Sequence, residues 1–230
     1  MGKVLMDDLI SVRDTKFKNG AQQLVLSAQV TLDSINNSIH TPPLLKIVLE
    51  KWLTWQEKDE IDIASSISSL NITSQWYAAL LAWGAWVIKK DGSEVHMTEF
   101  LDKRGRKSEI ESICIPLEIP NRVYAESAVC RTPRDYPIVF AAAVVDYDGD
   151  VVKEINLAMT GAAKKSVVKI NAVDTLKGKK LSDQDIESVK QQVLKEVEPK
   201  ADFRGSVEYR KEMAALLSKR VLKMCVKGDN

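Results

Sequence analysis

Apolar positions in this chain recur at two spacings, every second residue and every third or fourth, with turn residues between the stretches. Residues 24–31, Leu-Val-Leu-Ser-Ala-Gln-Val-Thr, read as a strand. Residues 10–12 are its expected hairpin partner across Asn19-Gly20, because glycine accepts positive φ without penalty and asparagine tolerates it. From Thr31 the spacing turns helical, with Leu32, Ile35 and Ile39 on one side, until Thr41-Pro42-Pro43 breaks it. A helix with a broad apolar face is expected over 44–55. The serine-rich stretch 57–74 reads as a loop with a short turn or two. Trp76, Ala79, Leu80 and Trp83 mark a further helix, and Gly84 stands where a left-handed cap belongs. Strands over 85–88 and 95–97 flank the hairpin signal Asp91-Gly92, and a strand over 110–115 is ended by Pro116 and Pro120.

Beyond Pro120 the pattern is again strands followed by helices. Residues 138–145 and 151–159 are β-rich around Asp148-Gly149. Ser182 with Asp185 resembles a capping box that opens a helix carrying Ile186, Val189, Val193 and Val197 on one face, closed by Pro199. A last helix over 206–226 places Val207, Met213, Ala214, Leu217, Val221 and Met224 along one side. The expected organisation is two α+β domains meeting near Pro120, without a fixed-period repeat.

Composition narrows the function classes. With 230 residues, 45% of them hydrophobic and 28% charged, the chain is ordinary globular material. Its 33 basic and 32 acidic residues leave +1, which gives no general electrostatic reason to bind nucleic acid or an anionic membrane. The 3 cysteines, Cys114, Cys130 and Cys225, lie far apart with no CxxC pair, so neither a disulfide framework nor a cysteine-spaced metal site is expected. A reduced, cytoplasmic compartment is the simplest reading. No apolar run is long enough to span a membrane, and the start from Met1 to Met6 is too short for a signal peptide.

Self-contained catalytic chemistry is hard to find. The 2 histidines, His40 and His96, have no metal-ligand spacing and read as surface or capping residues. Walker, GxGxxG and GxSxG patterns do not occur. Cys130 beside Arg131 has a neighbour that favours thiolate, but no histidine close in sequence, and reads as buried or inert. The 5 tryptophans fall in one third of the chain and suit a core or a partner interface. Residues 103–107, Lys-Arg-Gly-Arg-Lys, read as a solvated basic turn ahead of an anion site.

The C-terminal half carries a resemblance. Residues 203–217, Phe-Arg-Gly-Ser-Val-Glu-Tyr-Arg-Lys-Glu-Met-Ala-Ala-Leu-Leu, resemble the closing helix of the FAD-binding medium subunits of molybdenum hydroxylases, the xanthine dehydrogenase and aerobic carbon monoxide dehydrogenase flavoproteins. Upstream, Phe-Ala-Ala-Ala-Val-Val at 140–145, Asp148-Gly149 and Leu-Ala-Met-Thr-Gly-Ala-Ala at 157–163 follow in the same order. In the first half, Leu26 to Leu32 is similar to the family's strand ending in Gly-Ala-x-Thr-Thr-Leu, and Ala79 to Ala85 to its Ala-Leu-Leu-Ala-Leu-x-Ala helix end.

The resemblance implies an α+β fold: an incomplete FAD-binding domain over 1–120, comprising its second subdomain, followed by a flavoprotein C-terminal domain over 121–230. It implies FAD as cofactor, with Ala28, Thr31, Arg131, Asp135 and Tyr136 at the cofactor and no catalytic or metal-ligating residue on this chain. Family members hold FAD between a glycine-rich Ala-Gly-Gly-Thr-Asp loop and a Thr-Ile-Gly-Gly-Asn loop, where backbone without Cβ approaches the pyrophosphate closely. The first of these loops would fall before Met1. At the second, Ala64-Ser65-Ser66 stand where Gly-Gly-Asn is expected, and Ala128 replaces the lysine of a Lys-x-x-Arg pattern ending at Arg131. Arg131 has two readings, flavin contact or an ion pair with Asp135.

Three functions follow. The first is a medium subunit that passes electrons from iron–sulfur clusters through FAD to an acceptor such as NAD. Its partners would be a large molybdenum-cofactor subunit and a small iron–sulfur subunit. The second is a flavin-less scaffold or assembly subunit of the same complex. The third is a stand-alone binding module that reuses the C-terminal domain.

Overall fold

The computed structural model describes residues 9–14, 22–103, 105–117, 119–132 and 135–227. The expected Asn19-Gly20 turn, the first residues of the chain and Arg104 of the basic turn lie outside them. The described residues form two compact units. One runs up to Trp76 and resumes over Trp83–Ile119; the other takes Tyr77–Ala82 and the chain from Pro120 onward.

The first unit is built on an antiparallel sheet of β1 (Ile10–Asp14), β2 (Gln22–Ser27), β3 (Trp86–Lys89), β4 (Glu94–His96) and β5 (Ile110–Pro116), ordered β1-β2-β5-β3-β4. β1 pairs with β2 as its sequence suggested, Ile10 opposite Leu26, and β2 runs beside β5 with Val25 opposite Cys114. β2 stops at Ser27, short of Thr31, because the chain turns there: the Ser27 carbonyl accepts from Val30 N at 3.1 Å. Thr31 instead caps α1 (Leu32–Asn37), its hydroxyl accepting from Ser34 N at 3.2 Å. Ile39 lies past the end of that helix and is 92% exposed.

α2 (Pro43–Trp52) opens with proline in its first turn, where the missing N–H costs nothing. It ends before the expected Trp55, because Leu53 is extended and Thr54 starts a new helix, α3 (Trp55–Glu60). Thr54 and Glu57 form a reciprocal capping box, with Glu57 N donating to Thr54 Oγ1 at 3.2 Å and Thr54 N to Glu57 Oε2 at 2.8 Å. Trp55 therefore faces solvent, 75% exposed.

The loop expected over 57–74 is largely helix: the rest of α3, then α4 (Ile63–Ser68) and α5 (Leu70–Trp83). Short hydroxyl side chains are satisfied by neighbouring backbone rather than breaking the helices: Ser66 Oγ donates to Ile63 O and Thr73 Oγ1 to Ser66 O, both at 2.7 Å. Gly84 ends α5 at φ 85°, and Gly92 turns the β3–β4 hairpin at φ 80°. α6 (Met97–Asp102) follows β4.

The second unit has a four-stranded antiparallel sheet, β6 (Arg122–Val129), β7 (Val139–Asp148), β8 (Val151–Thr160) and β9 (Val167–Lys169), in sequential order. β6 and β9 escape the sequence reading; Val123, Ala125 and Val129 alternate in β6, but polar and small residues interrupt them. α7 (Asp183–Glu196) opens on Ser182, which accepts from Asp185 N at 3.1 Å, and stops before Pro199. α8 (Val207–Met224) packs against α7, β6 and β7. Its buried face is Ala214, Ala215, Leu217, Val221 and Leu222, with Arg210 and Ser218 among them. Met224, expected on that face, is 58% exposed. Ala141, Ala143, Val145, Ile155, Leu157, Val189 and Val193 meet this face in one apolar core.

Candidate functional site

The residues singled out by sequence fall at two places, one in each unit. In the first unit, the turn after β2 lies beside the segment leading into α4. Leu32 N donates to Ile61 O at 2.9 Å, and Thr31 and Asp62 form an antiparallel bridge. Ile63 N donates to Val30 O at 3.0 Å and Ala64 N to Ala28 O at 2.9 Å. Ala28 is thus joined to Ala64 and Thr31 to Asp62, at the start of the segment that the resemblance sets in place of the glycine loop.

That segment does not form an open loop. Asp62 caps α4, with Ser65 N donating to its Oδ1 at 2.6 Å, and Ser66 N closes the first turn on Asp62 O at 2.9 Å. All four amides from Ile63 to Ser66 are therefore committed to acceptors of this chain. Ser66 is fully buried and its hydroxyl is bonded to Ile63 O. A pyrophosphate cradle needs several converging N–H groups and backbone without Cβ. Residues 63–66 offer neither, so they do not fit that part of FAD.

In the second unit, Arg131, Asp135 and Tyr136 sit in the loop joining β6 to β7, which Ile138 N closes on Val129 O at 2.8 Å. Arg131 Nε is 3.6 Å from Asp135 Oδ2, so the ion-pair reading of Arg131 is realised in a half-exposed setting. The Arg131 guanidinium also stands 5.5 Å from the ring of Phe203. Phe203, the first residue of the closing-helix motif, is 84% exposed at the tip of a turn in which Asp202 and Gly205 exchange backbone bonds at 3.2 Å. Tyr136 is 38% exposed.

Arg210 fixes this region from below. Its side chain is 4% exposed; Nη1 donates to Ile138 O at 2.6 Å, and Nη2 lies 2.7 Å from Asp202 Oδ1. Burial alone would raise the Asp202 carboxyl. The adjacent Arg210 guanidinium, with the backbone N–H and side chain of Arg204, outweighs it and holds the group far below the ordinary carboxylate range. Sequence reasoning missed Arg210 because a lone arginine in a helix reads as a surface residue.

The remaining candidates have structural roles. His96 caps α6, its Nδ1 accepting from Thr98 N at 3.3 Å, and its ring meets Trp86 edge-on at 5.1 Å. The basic turn borders a cleft of about 290 Å³ in which Lys103 pairs with Glu99 at 2.6 Å and Arg106 with Glu109 at 2.8 Å. Lys103 and Arg106 are thereby each paired with a carboxylate. Among the described residues, no group of acidic, histidine and cysteine side chains is arranged to hold a metal ion, and no helix is long and apolar enough to cross a membrane.

Comparison with known proteins gives three findings. Residues 123–225 match the family described as the CO dehydrogenase flavoprotein C-terminal domain. The glyceraldehyde dehydrogenase medium chain of Sulfolobus acidocaldarius is 25% identical over 170 residues, covering 70% of this chain; the chain spans 60% of that relative's length. Solved structures share the fold, among them the following two. Carbon monoxide dehydrogenase from Hydrogenophaga pseudoflava matches with a TM-score of 0.77 at 20% identity, over 95% of this chain and 78% of that one. Quinoline 2-oxidoreductase from Pseudomonas putida 86 matches with a TM-score of 0.74 at 21% identity, over 95% and 79%.

Proposed function

We propose, from the premise that residues 123–225 belong to the CO dehydrogenase flavoprotein C-terminal domain family and that the chain is a homologue of the FAD-type medium subunits of molybdenum hydroxylases, that it fills the medium-subunit place in such a complex. Its partners there are a large subunit with the molybdenum cofactor and a small iron–sulfur subunit, in the cytoplasm. Residues 121–230 act as the flavoprotein C-terminal domain and residues 1–120 as a degenerate FAD-binding domain. The observation that carries the reading is the intact second unit, whose sheet and two helices close over one continuous core. In this reading the chain contributes structure and docking surface to an oxidoreductase whose substrate chemistry is done by other subunits.

The second reading is an electron relay through FAD on this chain. Its support is the surface where Arg131 meets Asp135 and Phe203; against it stand the committed amides of residues 63–66.

Purification of the tagged chain from its native cells tests the assembly role. Molybdenum and iron co-eluting with the chain in constant ratio are the expected result. A lone 25.7 kDa species without either metal overturns it. An absorbance spectrum of the same complex tells the two readings apart, since flavin bands belonging to this chain favour the relay.

A further inference from the structure

We infer that Asp62 is the internal anion of the segment where the family's flavin pyrophosphate loop would lie, so that the first unit completes this junction with its own carboxylate and folds without flavin. The inference rests on the family reading above for the correspondence of Ala64-Ser65-Ser66 with the glycine loop, and on hydrogen bonds for everything else.

Those bonds account for all four backbone amides of residues 63–66 and for the hydroxyls of Ser66 and Thr31. Ile63 N and Ala64 N are held by the Val30 and Ala28 carbonyls, so the strand-like join between 28–32 and 61–64 consumes two of them. Ser65 N is held by the Asp62 carboxylate, and Ser66 N by the Asp62 carbonyl. Ser66 Oγ is spent on Ile63 O, and Thr31 Oγ1, the other hydroxyl beside the join, accepts from Ser34 N at 3.2 Å and contacts Ser34 Oγ at 2.9 Å. A phosphate entering here would have to displace a carboxylate already bonded at 2.6 Å, break two cross-segment bonds, and meet like charge at the helix start. Ala64 and Ser65 also carry the Cβ atoms that glycines at these positions would lack. The same feature explains why the segment needs no glycine: with its amides satisfied within the chain, the backbone takes an ordinary helical turn.

Flavin retention and thermal unfolding of the purified full chain test this together. The wild-type chain, mixed with excess FAD and desalted, is expected to show no flavin absorbance, and FAD is expected to leave its unfolding midpoint unchanged. Asp62→Ala removes the carboxylate acceptor and should lower the midpoint by about 2–4 °C. Asp62→Asn keeps a side-chain oxygen for the Ser65 amide and should stay near the wild-type midpoint. One flavin retained per chain, a midpoint raised by FAD, or an Asp62→Ala midpoint equal to wild type each overturns the inference. A flavin-retaining chain that still co-purifies with molybdenum and iron overturns this inference alone. A flavin-free chain that lacks those metals overturns the assembly role and leaves the inference standing.

Discussion

Gly161, just after β8, has φ 71°, and a Cβ built there would lie 2.0 Å from the Ile138 carbonyl oxygen. That oxygen is also the acceptor for the buried Arg210, so the glycine lets two backbone segments and one guanidinium meet. Gly161→Ala adds left-handed strain to a backbone clash. It should cost about 2–4 kcal/mol, read as a lowered urea midpoint with an unchanged slope. The glycine is visible in the sequence within Leu-Ala-Met-Thr-Gly-Ala-Ala. Its reason is not, because Ile138 and Arg210 are distant along the chain.

The cysteines make a second residue-scale case. Cys114 and Cys225 are buried, and burial pushes the Cys225 thiol up to about 12, whereas Cys130 is partly exposed. Brief iodoacetamide treatment of the native protein, followed by peptide mass analysis, should label Cys130 and leave Cys114 and Cys225 unlabelled until denaturant is added. Sequence spacing bears on whether the cysteines can pair, but burial decides which thiol is accessible.

At the scale of elements, side-chain caps decide what periodicity alone leaves ambiguous. Residues 44–55 carry apolar positions that one helix would accommodate, yet the chain leaves that helix before Thr54, which starts a new one through its box with Glu57. Thr54→Ala should lower stability by about 1 kcal/mol and fray α3, observable as faster amide exchange over 55–60. The Thr-x-x-Glu signature was present in the sequence; the tryptophans on either side obscured it by suggesting a continuous apolar face. The serine-rich stretch shows the same effect in reverse. Serine favours turns when its hydroxyl competes for backbone, but Asp62 supplies the cap and Ser66 bonds within its own turn, so α4 forms.

At the scale of the molecule, displaced ionisations set a pH window. Glu187 is lowered to about 2 by Lys190 and Lys219, and Asp91, Glu99, Glu109, Asp183, Asp202 and Glu208 are lowered as well. A carboxyl depressed in the folded state stabilises above its unfolded value and loses that contribution as pH falls through the folded one. On the alkaline side, Tyr147 is raised to about 12, first by burial and then by the nearby Cys225, which is itself raised to about 12 by burial. Groups raised in this way stabilise below their unfolded values, about 8.5 for cysteine and 10 for tyrosine, and lose the contribution as pH climbs toward the folded ones. Urea unfolding across pH should therefore show a plateau from about 5 to 8, with stability falling on both sides. Most of the carboxylate partners are exposed, so added salt should flatten the acid limb.

The sequence by itself determined the α+β class, the main strands and the last two helices, because alternation, helical spacing and turn glycines are local signals. It also carried the family resemblance, since the closing-helix motif and the strand order before it are contiguous runs of residues. Tertiary structure alone decided the state of the candidate site. The amides of residues 63–66 are used up by the turn at residues 28–30 and by Asp62 itself. Arg131 finds Asp135 beside it in the chain, but Phe203 arrives from the turn before α8. Hydrogen-bond acceptors contributed by distant segments leave no periodic trace, so whether a loop is open to a ligand is settled only when the chain has folded around it.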